Sequence, residues 1–214
     1  MKKLRSHGVL LGQTQSGKTT IGLKYLAAQK DGLKLFINTK REQKWRKYFK
    51  YMIKTPEDLE HVYAEYSSYT SDLFLIEPDV TDGGSIDQIG ELLDVILKFH
   101  QDNPQKFKTY IFIDEIQVYQ SKFSRTESFA RLWTMGLGLG IRAVAMAQRP
   151  QLINNDILYN SETWLLCTMV DADMEYLDDK GIIKYDEQKH MFVGGHPAFI
   201  QTNKKQGLVR LNNE

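Results

Sequence analysis

The stretch GVLLGQTQSGKTT, residues 8–20, decides how the rest of the chain is read. An apolar run, Val9-Leu10-Leu11, stops at Gly12. Gln13, Thr14, Gln15 and Ser16 then separate it from Gly17, Lys18, Thr19 and Thr20. Gly-x-x-x-x-Gly-Lys-Thr is the spacing of a Walker A phosphate loop, whose required context is a strand before it and a helix after it. Residues 7–12 read as a buried strand, and 18–29 carry apolar residues at helical spacing. Each position has a physical reason. Gly12 and Gly17 let the backbone wrap tightly. The N–H groups of residues 12–18 then converge on phosphate oxygens, and the helix start adds its positive dipole end. Lys18 is expected to reach the β- and γ-phosphates of ATP. The Thr19 hydroxyl is expected to hold Mg²⁺, and Thr20 to add a contact to the α-phosphate.

Working outward, the chain alternates apolar strands with helices. Strands are read at 33–38, 71–78, 108–115, 141–148 and 163–169, with helices at 55–68, 85–101 and 125–140. The helix at 55 opens with Thr-Pro-Glu, a helix-start signature. The tail 189–203 reads as a β-hairpin turning at Gly194-Gly195. This alternation predicts an α/β fold: a mainly parallel sheet sandwiched by helices, plus a C-terminal β-hairpin. Ligands in such sheets bind at the carboxyl ends of the strands. Gly12, Asn38, Asp114 and Gln148 all fall at those ends.

YIFIDE, residues 110–115, places Asp114 and Glu115 at the end of an apolar strand. This is the Walker B pattern. Asp114 is expected to hold Mg²⁺ through water, and Glu115 to orient and polarise an attacking water. A purely structural reading is that two acids merely end a strand. The glutamate favours hydrolysis over transfer to a small molecule.

Composition sets the bounds. The 214 residues suit one domain, 1–214. Hydrophobic residues make up 42% and charged residues 26%, which is a globular composition able to bury a core. A net charge of +1 excludes binding of nucleic acid through global charge, so any basic surface must be local. The single cysteine, Cys167, rules out an internal disulfide, fits a reducing, cytoplasmic location, and reads as core. No apolar run approaches the roughly 20 residues that span a bilayer, so no membrane insertion is expected. The basic-then-apolar start, MKKLRSHGVLLG, is too short in its apolar part for a signal peptide. The histidines lack ligand spacing, so no zinc site is read.

GLGLGIRAVAMAQRP, residues 136–150, ends an apolar strand in Gln148, followed by Arg149-Pro150. A glutamine there can touch both a γ-phosphate and the attacking water; alternatively it only satisfies the strand end. GQTQSGKTT, IFIDE and GLGLGIRAVAMAQRP together resemble the HerA–FtsK superfamily of RecA-like motor ATPases, over most of residues 8–158. The short chain looks most like the genome-packaging ATPases of membrane-containing icosahedral viruses of archaea and bacteria. That resemblance implies a RecA-like P-loop NTPase fold and a homo-oligomeric ring, a hexamer, moving double-stranded DNA through its centre. It also implies a capsid or portal vertex partner, and the host cytoplasm as location. The sequence departs from the family where Gly136-Leu137 replaces a Gly-Arg pair and where Asn38 replaces an acid.

Ring ATPases take an arginine from the next subunit, worth several powers of ten in rate. Arg125, Arg131 and Arg142 are the candidates; the resemblance favours Arg131 as catalytic, with Arg142 second. The alternative is a solvated helix arginine. For DNA, residues 40–54 interleave Lys40, Arg41, Lys44, Arg46, Lys47, Lys50 and Lys54 with Trp45, Tyr48, Phe49 and Tyr51. Such a segment can grip phosphates, or it can be an amphipathic helix with solvated lysines. The loop 77–85 and Asn203-Lys204-Lys205 are further candidates for DNA contact. Asp171, Asp173, Asp178 and Asp179 read as a solvated acidic face. Besides translocation, the motifs leave open a conjugation or secretion motor, a non-translocating ATP-dependent switch and a small-molecule kinase.

Overall fold

The computed structural model describes residues 3–78, 85–120, 126–184, 199–201 and 209–210. In chain order the elements are β1 (His7–Leu11), α1 (Lys18–Ala27), β2 (Leu33–Ile37), α2 (Gln43–Arg46), β3 (Tyr51–Ile53), α3 (Pro56–Ala64), α4 (Tyr66–Tyr69), β4 (Leu73–Ile76), α5 (Ser85–Asp102), β5 (Thr109–Ile113), α6 (Glu127–Leu139), β6 (Ile141–Ala147), α7 (Asn155–Tyr159), β7 (Ser161–Leu166), α8 (Asp171–Asp179), β8 (Phe199–Gln201) and β9 (Val209–Arg210). They build one sheet in the order β3-β4-β2-β5-β6-β1-β7-β8-β9. The first seven strands in that order are parallel, and β8 and β9 join antiparallel.

Alternation along the strands explains the two-sided core. Leu10, Phe36, Phe112, Val144, Met146 and Leu165 point to one face, where Ile21, Leu23, Tyr25 and Leu26 of α1 cover them. Val9, Leu35, Ile37, Ile111, Ile113 and Trp164 point to the other, under α3, α5, α6, α7 and α8. Strands buried on both faces must be apolar throughout, and β1, β2 and β5 are fully buried. β6 contributes a row of small residues, Ala143, Ala145 and Ala147, to the face under α6. That row lets Phe129, Leu132 and Trp133 of α6 sit against the sheet, all of them buried.

Local signals set the helix starts. Thr55 caps α3 in a reciprocal box: its hydroxyl accepts from the Asp58 N–H at 3.3 Å, and Asp58 accepts from the Thr55 N–H at 3.1 Å. Such a cap contributes about 1 kcal/mol.

Residues 40–54 do not form one amphipathic helix. Only α2 is helical, and Tyr51–Ile53 is the edge strand β3 beside β4. Tyr51 stacks on Phe74 of β4 at 5.2 Å, and Trp45 and Phe49 pack against the face that holds α1. A β-prone Tyr-Met-Ile run beside an open sheet edge wins over helical periodicity. The acidic cluster is helical too: α8 spans it, with Asp173, Met174 and Leu177 buried. The hairpin turn expected at Gly194-Gly195 lies outside the described residues. The antiparallel pair that is described joins β8 to β9, with Phe199 opposite Arg210. The expected DNA-contacting residues 79–84 and 203–205, and Arg125, also lie outside.

Candidate functional site

The parallel register brings the strand ends together. Leu11 pairs with Ala147, Ile37 with Ile113, and Ile113 with Ala145. Gly12, Asn38, Asp114 and Gln148 therefore emerge side by side along one edge of the sheet. A cleft of about 390 Å³ opens there, lined by the phosphate loop, Lys40, Asp114, Glu115 and the start of α2.

The phosphate loop is tied to the sheet at its entry. The Gly12 N–H donates to the Ala147 carbonyl at 3.3 Å, and the Gln13 N–H to the Thr168 carbonyl at 2.9 Å. Gln15 and Gly17 take left-handed conformations, φ 63° and 85°, which reverse the chain into α1. At Gly17 a side chain would be strained. At Gly12 it would collide: a Cβ would lie 2.5 Å from Ser16 Oγ and 2.6 Å from Cys167 Cβ. Ser16 and Lys18 are buried, Gln13, Gly17 and Thr19 half-buried, and Thr14, Gln15 and Thr20 exposed. Lys18 Nζ reaches the Gln13 carbonyl at 3.3 Å. Burial lowers its pKa, opposed by the charges of Glu115 and Asp114.

Asp114 and Glu115 are 4% and 3% exposed. Burial first, and Glu115 second, push the Asp114 carboxyl up to about 6, against the pull of Lys40 and Lys18. Burial also raises Glu115, but hydrogen bonds from Gln148, Lys40 and Gln117 outweigh it and leave its pKa below the usual carboxylate value. Glu115 has a left-handed backbone, φ 48°, rare for a side-chain-bearing residue. Gln148 bridges the two motifs. Its Nε2 donates to Glu115 Oε1 at 2.9 Å, and its Oε1 accepts from the Thr14 hydroxyl at 3.1 Å.

Two adjoining buried acids beside a threonine hydroxyl form an oxygen donor set suited to a hard divalent cation. Burial, and after it the charge of Glu115, hold the Asp114 pKa up, and a cation at the carboxylates would offset both. Thr19 and Asp114 thus fit Mg²⁺, and the loop with Lys18 fits the phosphates.

The other expected residues sit elsewhere. Arg131 lies on α6, away from this cleft, with Nη1 3.6 Å from Asp94 of α5. Arg142 is the second residue of β6 and donates to the Gly140 carbonyl at 3.1 Å, about 20 Å of strand from Gln148. In the basic segment, Lys44 pairs with Glu42 at 2.6 Å. Arg46 grips the buried Glu77, which also accepts from Asn38 at 2.8 Å. Lys47 and Lys50 lie over Tyr48 and Tyr51. Lys40 pairs with Glu115 inside the cleft. No spacing signal pointed to that pair, because it joins the ends of two different strands.

No protein-family model matches the chain. No curated protein matches it. Solved structures do. The genome-packaging NTPase B204 from Sulfolobus turreted icosahedral virus 2, in complex with sulfate, aligns with a TM-score of 0.73 at 14% identity, over 99% of this chain and 98% of that one. The chain has the fold of a viral genome-packaging NTPase. B204 has also been solved with AMP, ATP-γS and AMPPCP. The conjugation coupling protein TcpA of pCW3, with ATP-γS, aligns at 0.60 and 12% identity, over 96% of this chain and 59% of that one. ATPases 2 and 3 of EssC from Geobacillus thermodenitrificans align at 0.55 and 11% identity, over 96% and 39%. These neighbours agree with the resemblance to HerA–FtsK motors.

Proposed function

We propose that the chain hydrolyses ATP and uses the energy to move double-stranded DNA, packaging a viral genome into a preformed capsid. One observation carries this reading: the phosphate loop, Asp114 and Glu115 converge on one cleft, with Gln148 bonded to Glu115 and Thr14, in a fold shared end to end with a genome-packaging NTPase. The loop N–H groups and Lys18 hold the phosphates and offset the charge that grows on them in phosphoryl transfer. Mg²⁺, held by Thr19 and Asp114, would supply further charge neutralisation. Glu115 orients water, with Gln148 fixing the carboxylate. The water oxygen bonds to the γ-phosphorus as the bond to the β,γ-bridging oxygen breaks. That electron pair leaves with ADP, and the water proton moves toward Glu115.

In the same reading the chain works as a hexameric ring in the host cytoplasm, docked on a capsid or portal vertex protein. Arg131 reaches a neighbour's γ-phosphate. Its position on α6, outside its own cleft, supports a role in trans. A conjugation or secretion motor is the second reading, favoured by the likeness to TcpA. Coverage of B204 along its whole length favours packaging.

Steady-state ATPase assays with and without double-stranded DNA test the proposal. Stimulation by DNA, lost in Lys18→Ala, is the expected result. Slow turnover indifferent to DNA would point to a switch, and phosphate transfer to a metabolite to a kinase. Undiminished turnover in Lys18→Ala would end the reading altogether.

A further inference from the structure

Glu115 is poorly placed to polarise water as it stands, because three donors, one of them a cation, already draw on its carboxylate. Oε1 takes Lys40 and Gln148, and Oε2 takes Gln117. A carboxylate has about four acceptor sites, so a site remains for water, but an ammonium held on the carboxylate offsets the negative charge that would draw a proton from that water, and it must leave for Glu115 to act as a base. Gln148 and Gln117 are neutral amides, and neither gains much by trading a carboxylate for a phosphate. Lys40 differs. It is a compact cation on a flexible stem, and its side chain is 39% exposed while Glu115 is buried. Its root is fixed, since the Thr39 hydroxyl donates to the Asp114 carbonyl and the Asn38 N–H to the Ile76 carbonyl at 2.8 Å. Its tip is held only by Glu115 among the contacts of the cleft, which Lys18, Thr19 and Asp114 also line.

We propose that Lys40 holds Glu115 when no triphosphate is bound and moves to the γ-phosphate when one is. The exchange makes release of the water-orienting carboxylate conditional on a third phosphate. ADP, lacking that phosphate, leaves Lys40 on Glu115, so the site relatches after each turnover. Lys40 is thus a positioning residue for Glu115 and a specificity residue for triphosphate over diphosphate. The proposal rests on the ATP-hydrolysis reading given above.

Calorimetric titration of ADP and ATP-γS with Mg²⁺ tests it, using wild type, Lys40→Met, Lys40→Arg, Glu115→Gln and the Lys40→Met/Glu115→Gln pair. In Lys40→Met the preference for ATP-γS over ADP should fall about tenfold, the worth of one charge-assisted bond, with ADP affinity unchanged. Lys40→Arg should keep most of the preference. Glu115→Gln removes the competing anion, so its preference should rise above wild type, and that rise should vanish in the double variant. A residue that only supports the fold would change both nucleotides alike. A wild-type ratio in Lys40→Met, or a rise that persists in the double variant, overturns the proposal. Should Lys40→Met melt early, Lys40→Gln is read in its place. A wild type that binds neither nucleotide sinks the hydrolysis reading and this one together. A wild type that binds and hydrolyses ATP, with an unchanged ratio in Lys40→Met, sinks the Lys40 proposal alone.

Discussion

Gly12→Ala probes how tightly the phosphate loop is built. The added methyl would meet Ser16 Oγ at 2.5 Å and Cys167 Cβ at 2.6 Å, both inside contact distance. Neither side yields easily. The Gly12 N–H is bonded to Ala147, and the Cys167 N–H donates to the Leu11 carbonyl at 2.8 Å. Overpacking of this kind costs about 1–3 kcal/mol. Gly12 is not among the glycines with positive φ, so alanine suits its backbone, and the stiffer unfolded chain offsets about 0.4–1 kcal/mol. The midpoints of the two ranges leave a net loss of about 1.3 kcal/mol, a fall in melting temperature of about 3–5 °C for a chain of this size. Calorimetry without nucleotide reads the stability, and titration with ATP-γS reads the loop. Ser16→Ala in the same background should recover part of the loss. Cys167→Ala should recover none, because the clashing Cβ stays. A Gly12→Ala protein that melts with wild type and binds ATP-γS normally would refute the packing described for this loop.

Arg131→Ala should abolish turnover and spare ATP binding; its partly exposed pair with Asp94, 3.6 Å apart, is worth under about 1 kcal/mol, so the fold survives, and wild-type turnover would remove Arg131 from the mechanism. Neutralising Lys44, Arg46 and Lys47 should flatten the salt dependence of DNA-stimulated turnover. Unchanged stimulation would place the DNA contact elsewhere. Burial holds His7 and His100 at about 4, from an ordinary 6.5. His7 Nδ1 accepts from the Ala143 N–H at 3.0 Å, which a proton there would break. The unfolded chain takes up protons below its own pKa that the folded chain refuses, so stability is intact above about pH 6.5 and falls as pH drops toward 4, by up to about 3 kcal/mol per ring. Carbon NMR of the imidazoles should find both neutral down to about pH 5; protonation near 6.5 would contradict their burial.

Residue pattern carried most of the fold. The apolar runs at 7–12, 33–38, 108–115 and 141–148 could only be strands buried on both faces, and they are β1, β2, β5 and β6. β3 was illegible because three residues at a sheet edge, near the end of a basic and aromatic segment, leave no period to read. α8 was hidden for another reason: its acids dominate the sequence, and only Met174 and Leu177 reveal the buried side. In the site, the phosphate loop, the paired acids and Gln148 were legible as strand-end residues. The Lys40–Glu115 pair was not, since it depends on β2 lying next to β5. Sequence order does not encode that adjacency. The pairing of Arg46 with Glu77, at the end of β4, was likewise not visible in the residue spacing.

The alanine row of β6 acts as a spacer gauge between the sheet and α6. Arg131 is carried on α6, partly exposed beside Asp94 of α5, so the girth of Ala143 and Ala145 helps set where its guanidinium lies. Widening either one to valine would nudge the arginine outward while leaving the chemistry at the strand ends untouched. In the ring proposed above, the reach of Arg131 toward the next copy would thereby be tuned from inside the core, by a residue outside the nucleotide cleft.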